Sequence, residues 1–322
     1  MKISVLIAVG LAVVAGSHTL SAQTSNPVDL LAAQDIRLAQ VSDRLLAAND
    51  PLCRLHMPLA GFLVHTRDQY RTDTGRAFIN GPVAIAQVLP NSPAFGVLKP
   101  GDGVVSIGGK GTDGIKAEGT APQRDAVFEV LAAEPLGQPL TLTIRRDGTQ
   151  QSVTIQPRTG CRALVEIRSV EGHNARSDGR VIQVDYGLAA AASESELAAV
   201  FAHEFAHLVL EHRRRLTAAG VSKGFFGEFG KNQRLNRQIE VEADRLSVHL
   251  LANAGYDPRV APAFWRSPLG RQAGGLLLVS STYPSPEARA QGLEREIADY
   301  LRAGTAPSWP GHLLARRDVP FN

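Results

Sequence analysis

The chain has almost no net charge, almost no cysteine and, beyond its first residues, no apolar run long enough to cross a bilayer. Thirty-four Lys and Arg against 31 Asp and Glu leave a formal charge of +3. With no long basic run, nothing points to nucleic acid or to an anionic membrane surface. No fixed-period repeat and no low-complexity segment occurs, which leaves ordinary globular domains. At 322 residues and 44% apolar content, two cores can be supplied. Cys53 and Cys161 are the only cysteines. Neither sits in a catalytic setting, which argues against a thiol nucleophile.

The N-terminus carries Lys2, a weakly polar stretch from Ile3 to Gly16, then small and polar residues through Ser21, Ala22 and Gln23. This order predicts a secretory signal peptide over residues 1–22, with Ala22 the last residue removed. A retained anchor is the alternative, but the stretch falls short of the about 20 residues that a span needs. No Cys lies near the exit, which argues against a lipid-anchored form. The expected location is therefore periplasmic or secreted, with no stable membrane span. In that setting an isolated cysteine pair predicts a disulfide, Cys53–Cys161, rather than two buried thiols.

Pro27 to Asn49 places Leu30, Leu31, Leu38, Val41, Leu45 and Leu46 at amphipathic-helix spacing, ended by Asn49-Asp50-Pro51. From Cys53 to about Pro157, short apolar runs alternate with Gly and Pro. Strands are expected at Val83–Leu89, Val104–Ile107, Leu140–Arg145 and Val153–Ile155, with an Asp147-Gly148 hairpin turn and one helix at Gln123–Glu134. From about Arg162 a strand pair precedes long helices at Glu194–Leu216, Gln233–Ala254 and Glu287–Leu301. A Gly- and Phe-rich loop at 224–230 joins the first two of these helices. The fold class is α+β, with residues 27–50 packing on a mainly helical domain at 160–322 and a β-rich module at 53–158.

The chemistry concentrates in Ala202-His203-Glu204-Phe205-Ala206-His207. Helix residues four apart lie about 40° out of line and one turn apart, so His203 and His207 can aim two imidazoles at one zinc ion. Glu204, beside them, is placed to act as general base toward water. A surface helix with incidental histidines is the bland alternative. A catalytic zinc needs a third protein ligand and an open position. On the next helix Glu240 and Asp244 share a face. Glu240 is expected to bind zinc, and Asp244 to accept a hydrogen bond from the far nitrogen of a ligand imidazole. Glu242 reads as a solvated charge, and His212 and His249 as ordinary helix residues.

His203-Glu204-x-x-His207 followed by Glu240-x-x-x-Asp244 resembles the gluzincin metallopeptidases of the HtpX and CAAX prenyl protease type, especially their soluble exported branch. The resemblance covers roughly residues 160–300 and the N-terminal helix. It implies one zinc per chain held by His203, His207 and Glu240, with Glu204 as base and Asp244 in support. Asn174-Ala175-x-x-Asp178-Gly179, followed by Arg180–Val184, looks like the strand that pairs with substrate backbone. Tyr283 stands where many relatives carry His. Its hydroxyl could serve a developing oxyanion, or the ring could merely pack.

Ala86–Ala94 and Leu98–Gly109 resemble the strand, Ser-Pro-Ala turn and Gly-Asp corner of bacterial PDZ modules. Such modules add a peptide to a sheet edge beside a helix. Gln123–Glu134 would line the groove, and Leu59-Ala60-Gly61-Phe62 would hold a terminal carboxylate, unless it is an ordinary turn. Gly109-Lys110-Gly111-Thr112-Asp113-Gly114 satisfies G-x-G-x-x-G, but no helix opens from it, so nucleotide binding is rejected. The expected function is a zinc metalloendopeptidase acting on exported, including misfolded, proteins. The alternative is a PDZ-based, chaperone-like binding factor in which proteolysis is minor. Partners are protein or peptide substrates.

Overall fold

The computed structural model of the protein describes residues 27–70, 75–221, 231–275, 284–301 and 307–321. The expected signal segment, the 224–230 loop and Tyr283 lie outside the described residues. Helix α1 (Pro27–Ala48) buries Leu38, Val41, Leu45 and Leu46 in the largest core and leaves Leu30 exposed. Its apolar stripe is therefore used over the last three turns. Asn49 ends the helix and ties it across the core: its side-chain amide donates to Leu45 O at 2.9 Å and to Leu250 O at 3.1 Å.

The chain then makes β1 (His56–Leu59), β2 (Phe62–Thr66), β3 (Val83–Val88), β4 (Gly103–Ile107), β5 (Lys110–Gly111), α2 (Gln123–Ala132), β6 (Leu140–Arg146), β7 (Thr149–Ile155) and β8 (Arg158–Cys161). Strands β2-β3-β4-β6-β7 form one antiparallel sheet, with β5 attached to β4. Val83, Ile85, Ile107, Leu142 and Ile144 point to one face and meet Val127 of α2 in a separate core. Asp147 and Gly148, both at positive φ (50° and 78°), turn β6 into β7, as a two-residue hairpin requires. Strands β1 and β8 pair antiparallel at the base of this segment, with His56 opposite Cys161. Cys53 and Cys161 are joined in a disulfide.

Next come β9 (Leu164–Arg168), β10 (Ala175–Ser177) and β11 (Val181–Asp185), in the order β10-β11-β9 with β10 at one edge. Three strands form where a pair was expected. The helical part comprises α3 (Tyr186–Ala191), α4 (Glu194–Val209), α5 (His212–Ala218), α6 (Lys231–Asn253), α7 (Val260–Arg266), α8 (Pro268–Gly275), α9 (Pro286–Tyr300) and α10 (Gly311–Leu314). Ser193 starts α4 with a capping box: its hydroxyl accepts from Glu196 N–H at 3.3 Å, and the Glu196 carboxylate accepts from Ser193 N–H at 2.9 Å. Leu197, Phe201, Phe205 and Val209 are buried, as are the alanines between them. A helix apolar all round belongs inside a domain. Truncating either phenylalanine should cost about 3–5 kcal/mol.

The single helix expected over Glu194–Leu216 is two. Glu211 has φ 52° and separates α4 from α5. No Gly or Pro marks the break, so helical periodicity alone runs through it. No helix among the described residues is long and apolar enough to cross a membrane.

Candidate metal centre

Helix α4 carries His203, Glu204 and His207 through the core, and α6 packs along it with Glu240 and Asp244 on the facing side. The Nε2 atoms of His203 and His207 are 3.3 Å apart. Glu240 places Oε2 3.3 Å from His203 Nε2 and Oε1 3.5 Å from His207 Nε2. Donors bound at 2.0–2.1 Å around a tetrahedral centre lie roughly 3.3–3.4 Å apart. The three side chains therefore stand at the mutual spacing that one zinc ion would impose, and their imidazole and carboxylate donors are those zinc accepts. They line a cavity of about 500 Å³ with Glu204, Asn174, Ala175, Trp265 and Arg289.

Asp244 Oδ1 lies 3.0 Å from His203 Nδ1. Arg289 on α9 grips Asp244 with Nε and Nη2, each at 2.7 Å, and its guanidinium lies 3.6 Å from the centre of the Trp265 ring. The periodicity of α6 made Asp244 legible. Arg289 stands out in the sequence only as the end of the motif Tyr283-Pro284-Ser285-Pro286-x-x-x-Arg289, and its partner Asp244 appears where α9 meets α6 in the tertiary fold.

Burial and charge set the protonation here. Burial pushes the Glu204 carboxyl up to about 7, with His203 opposing and Glu240 reinforcing the shift. Among the described residues none hydrogen-bonds that buried carboxylate. Burial alone would depress the His203 imidazole, yet its hydrogen bonds to Asp244 and Glu240 carry it up to about 10. Burial works against ionising Glu240 and Asp244 as well, but His203 and Arg289 hold both below the usual carboxylate range. A field that favours a proton on His203 also favours a divalent cation at the same place.

Three residues read as bland from the sequence are not. Glu242 is buried (6% exposed) rather than solvated, and His212 is buried against it (2% exposed). His249 is likewise engaged. Its Nε2 and that of His312 lie 3.0 and 2.8 Å from Glu296 Oε1, while Arg245 holds the other oxygen at 2.6 Å. This second cluster of two histidines and a carboxylate is already neutralised by Arg245, so it reads as a clamp on the C-terminal segment.

Gly61 and Phe62 lie far along the chain from this centre and line a different, larger cleft of about 930 Å³. Gly61 has φ 76°, and a Cβ there would sit 2.1 Å from Ser92 Cβ. Only glycine fits that turn.

Residues 165–230 match the sequence model of Peptidase family M48. The matched segment carries His203, Glu204 and His207, so the likeness to this family covers the H-E-x-x-H helix and the strands before it. Glu240 and Asp244 lie beyond the matched residues, so their part in the centre rests on geometry. The chain is similar to "Mitochondrial metalloendopeptidase OMA1" of Arabidopsis thaliana, 33% identical over 120 residues (31% of this chain, 24% of the relative). The protein of the same name from Schizosaccharomyces pombe is 29% identical over 141 residues (38% and 42%). The "Putative beta-barrel assembly-enhancing protease" of Vibrio cholerae is 29% identical over 159 residues (40% and 33%). The chain thus spans less than half the length of each of these curated relatives.

Proposed function

We propose that the protein is a zinc metalloendopeptidase in which His203, His207 and Glu240 hold one zinc ion and Glu204 is the general base. The observation that carries this reading is the 3.3–3.5 Å spacing of the three donors beside the buried Glu204 carboxylate. Zinc held there supplies Lewis acidity, which polarises a carbonyl and acidifies water. Glu204 accepts the proton on its carboxylate and returns it to the leaving amine. Asp244, itself fixed by Arg289, keeps the His203 ring in one tautomer.

Strand β10 supports the substrate class. Among the described residues it pairs with β11 on one side only, and Asn174, Ala175 and Arg176 line the cavity wall. An extended peptide can add to that edge through backbone hydrogen bonds.

The finer reading follows the motifs. Residues 53–158 form an inserted PDZ-like module, the peptidase part spans 160–322, and the whole is of the HtpX and CAAX prenyl protease type. Substrates are exported proteins, including misfolded ones, met in the periplasm or outside the cell after removal of residues 1–22. The Vibrio cholerae relative, named for enhancing the assembly of β-barrels, fits such a role. Tyr283 is kept as a candidate oxyanion donor.

Wild type and Glu204→Gln are to be compared on unfolded casein, with and without a chelator. Cleavage by wild type alone, abolished by the chelator, is expected. Equal cleavage by both proteins defeats the hydrolase reading and leaves the PDZ-based binding factor.

A further inference from the structure

His212 follows His207 by five residues, so in an unbroken helix its side chain would point about 140° away. The left-handed residue Glu211 (φ 52°) changes that. Such a conformation costs a non-glycine residue roughly 1–2 kcal/mol, and here it is held by charge. The Glu211 carboxylate accepts from Arg54 at 3.2 Å and from Arg214 Nε at 2.8 Å. The turn starts α5 on a new course and brings His212 Nδ1 to 2.8 Å from His207 Nδ1.

Behind His212 the chain of contacts continues. Its Nε2 lies 3.2 Å from Glu242 Oε2, and Glu242 accepts from Arg215 at 2.5 Å and from Gln238 at 2.8 Å. Arg215 in turn lies 4.2 Å over the ring of Phe321. His207, His212, Arg215 and Glu242 are all buried.

With both rings neutral, one proton order satisfies these contacts. His207 turns Nε2 toward His203 and Glu240, so its proton sits on Nδ1 and is donated to His212 Nδ1. His212 then carries its proton on Nε2 and donates it to Glu242, whose charge Arg215 balances. The opposite order would put a proton on His207 Nε2, where it would compete with a metal.

We propose that His212 and Glu242 are positioning residues for His207, fixing its tautomer and ring plane through one intervening imidazole. Asp244 does the same for His203 by direct contact. The two histidines are braced by unlike devices, and the one on His207 depends on the left-handed turn at Glu211. This inference rests on the zinc-site reading above.

The test titrates the metal-free full chain with zinc against a chromogenic chelator for wild type, His203→Ala, His212→Phe, His212→Asn and Glu242→Gln. Cobalt spectra at saturation report ligand geometry, and urea unfolding of the metal-free proteins reports the fold. Wild type should bind one ion, and His203→Ala should lose it. His212→Phe should bind about 10–100-fold more weakly with a shifted cobalt spectrum. His212→Asn, whose Oδ1 can stand where Nδ1 stood, should recover most of that affinity. Should the Phe variant fail to fold, the Asn and Gln variants decide, and both must still bind more weakly than wild type. If wild type and His203→Ala behave alike, the zinc-site reading fails. If His203→Ala loses zinc while every folded His212 and Glu242 variant binds like wild type with an unchanged spectrum, the positioning role is overturned.

Discussion

Asp244 takes two hydrogen bonds of 2.7 Å from Arg289 while its Oδ1 stands 3.0 Å from His203 Nδ1. One carboxylate therefore joins α9 to the candidate metal centre, and removing its partner strands a buried charge. Arg289→Met should destabilise the metal-free protein by about 3–5 kcal/mol. Adding Asp244→Asn should restore part of the loss, because the stranded charge goes too. Urea unfolding of the four proteins in chelator checks this. Effects that add within about 0.5 kcal/mol would mean that the pair is not coupled.

Helical periodicity was enough to place His203, His207, Glu240 and Asp244 on facing sides of two helices, because residues four apart share a face whatever surrounds them. Strands β3, β4 and β6 were legible from apolar runs, and the end of β7 from Val153–Ile155 after the Asp147-Gly148 turn. By contrast, β5 lies in a segment that reads as a loop, and the polar first half of β7 carries no apolar run. Periodicity says which way a side chain points and not what meets it, which is why Glu242 read as solvated although α5 covers it. The break at Glu211 had no Gly or Pro to announce it. It is held by Arg54, more than 150 positions away in sequence, so His212 became a partner of His207 only in the tertiary fold. Arg289 is the same case, since a side chain on α9 gains its role from a carboxylate 45 positions earlier.

The disulfide closes a sequence separation of 108 residues around the six-stranded sheet. On the chain-entropy account, a loop of that size contributes up to about 5 kcal/mol, and measured values often fall lower. Cys53→Ser with Cys161→Ser should lower the guanidinium midpoint by an amount worth about 2–5 kcal/mol. A midpoint equal to that of the oxidised wild type would show that the bond does not constrain the unfolded chain.

Glu296 gives an acid-dependent stability term. Burial opposes its ionisation, but hydrogen bonds from His249, Arg245 and His312 take its pKa from 4.5 to about 2. A carboxylate with a depressed folded pKa stabilises the fold fully above its unfolded value and loses that contribution as pH falls toward the folded one. The margin of wild type over Glu296→Gln should therefore be flat from pH 7 to 5. It should shrink between about pH 4.5 and 2, by on the order of 3 kcal/mol. Denaturant unfolding across that range measures it, and a margin independent of pH would contradict the assignment.

The larger cleft gives the PDZ-like reading its test. Among the described residues strand β2 ends the sheet, so one edge of it is unpaired. The cleft beside it runs from Gly61–Val64 past Phe128 and Leu131 of α2. Its far wall is α1 and β9, with Leu31, Asp35 and Ile167, so a bound tail would touch both cores at once. Tail recognition through a terminal carboxylate places charge-assisted hydrogen bonds at the Gly61 turn, worth about 1.5–3 kcal/mol. An apolar C-terminal peptide should then bind about tenfold or more tightly as the free acid than as the amide. Leu131→Asp should weaken both forms, because Leu131 lines the cleft and is only half-buried. Fluorescence polarisation with labelled peptides measures these affinities. Equal binding of acid and amide would leave the Gly61 turn as an ordinary loop and the cleft as a contact between two cores.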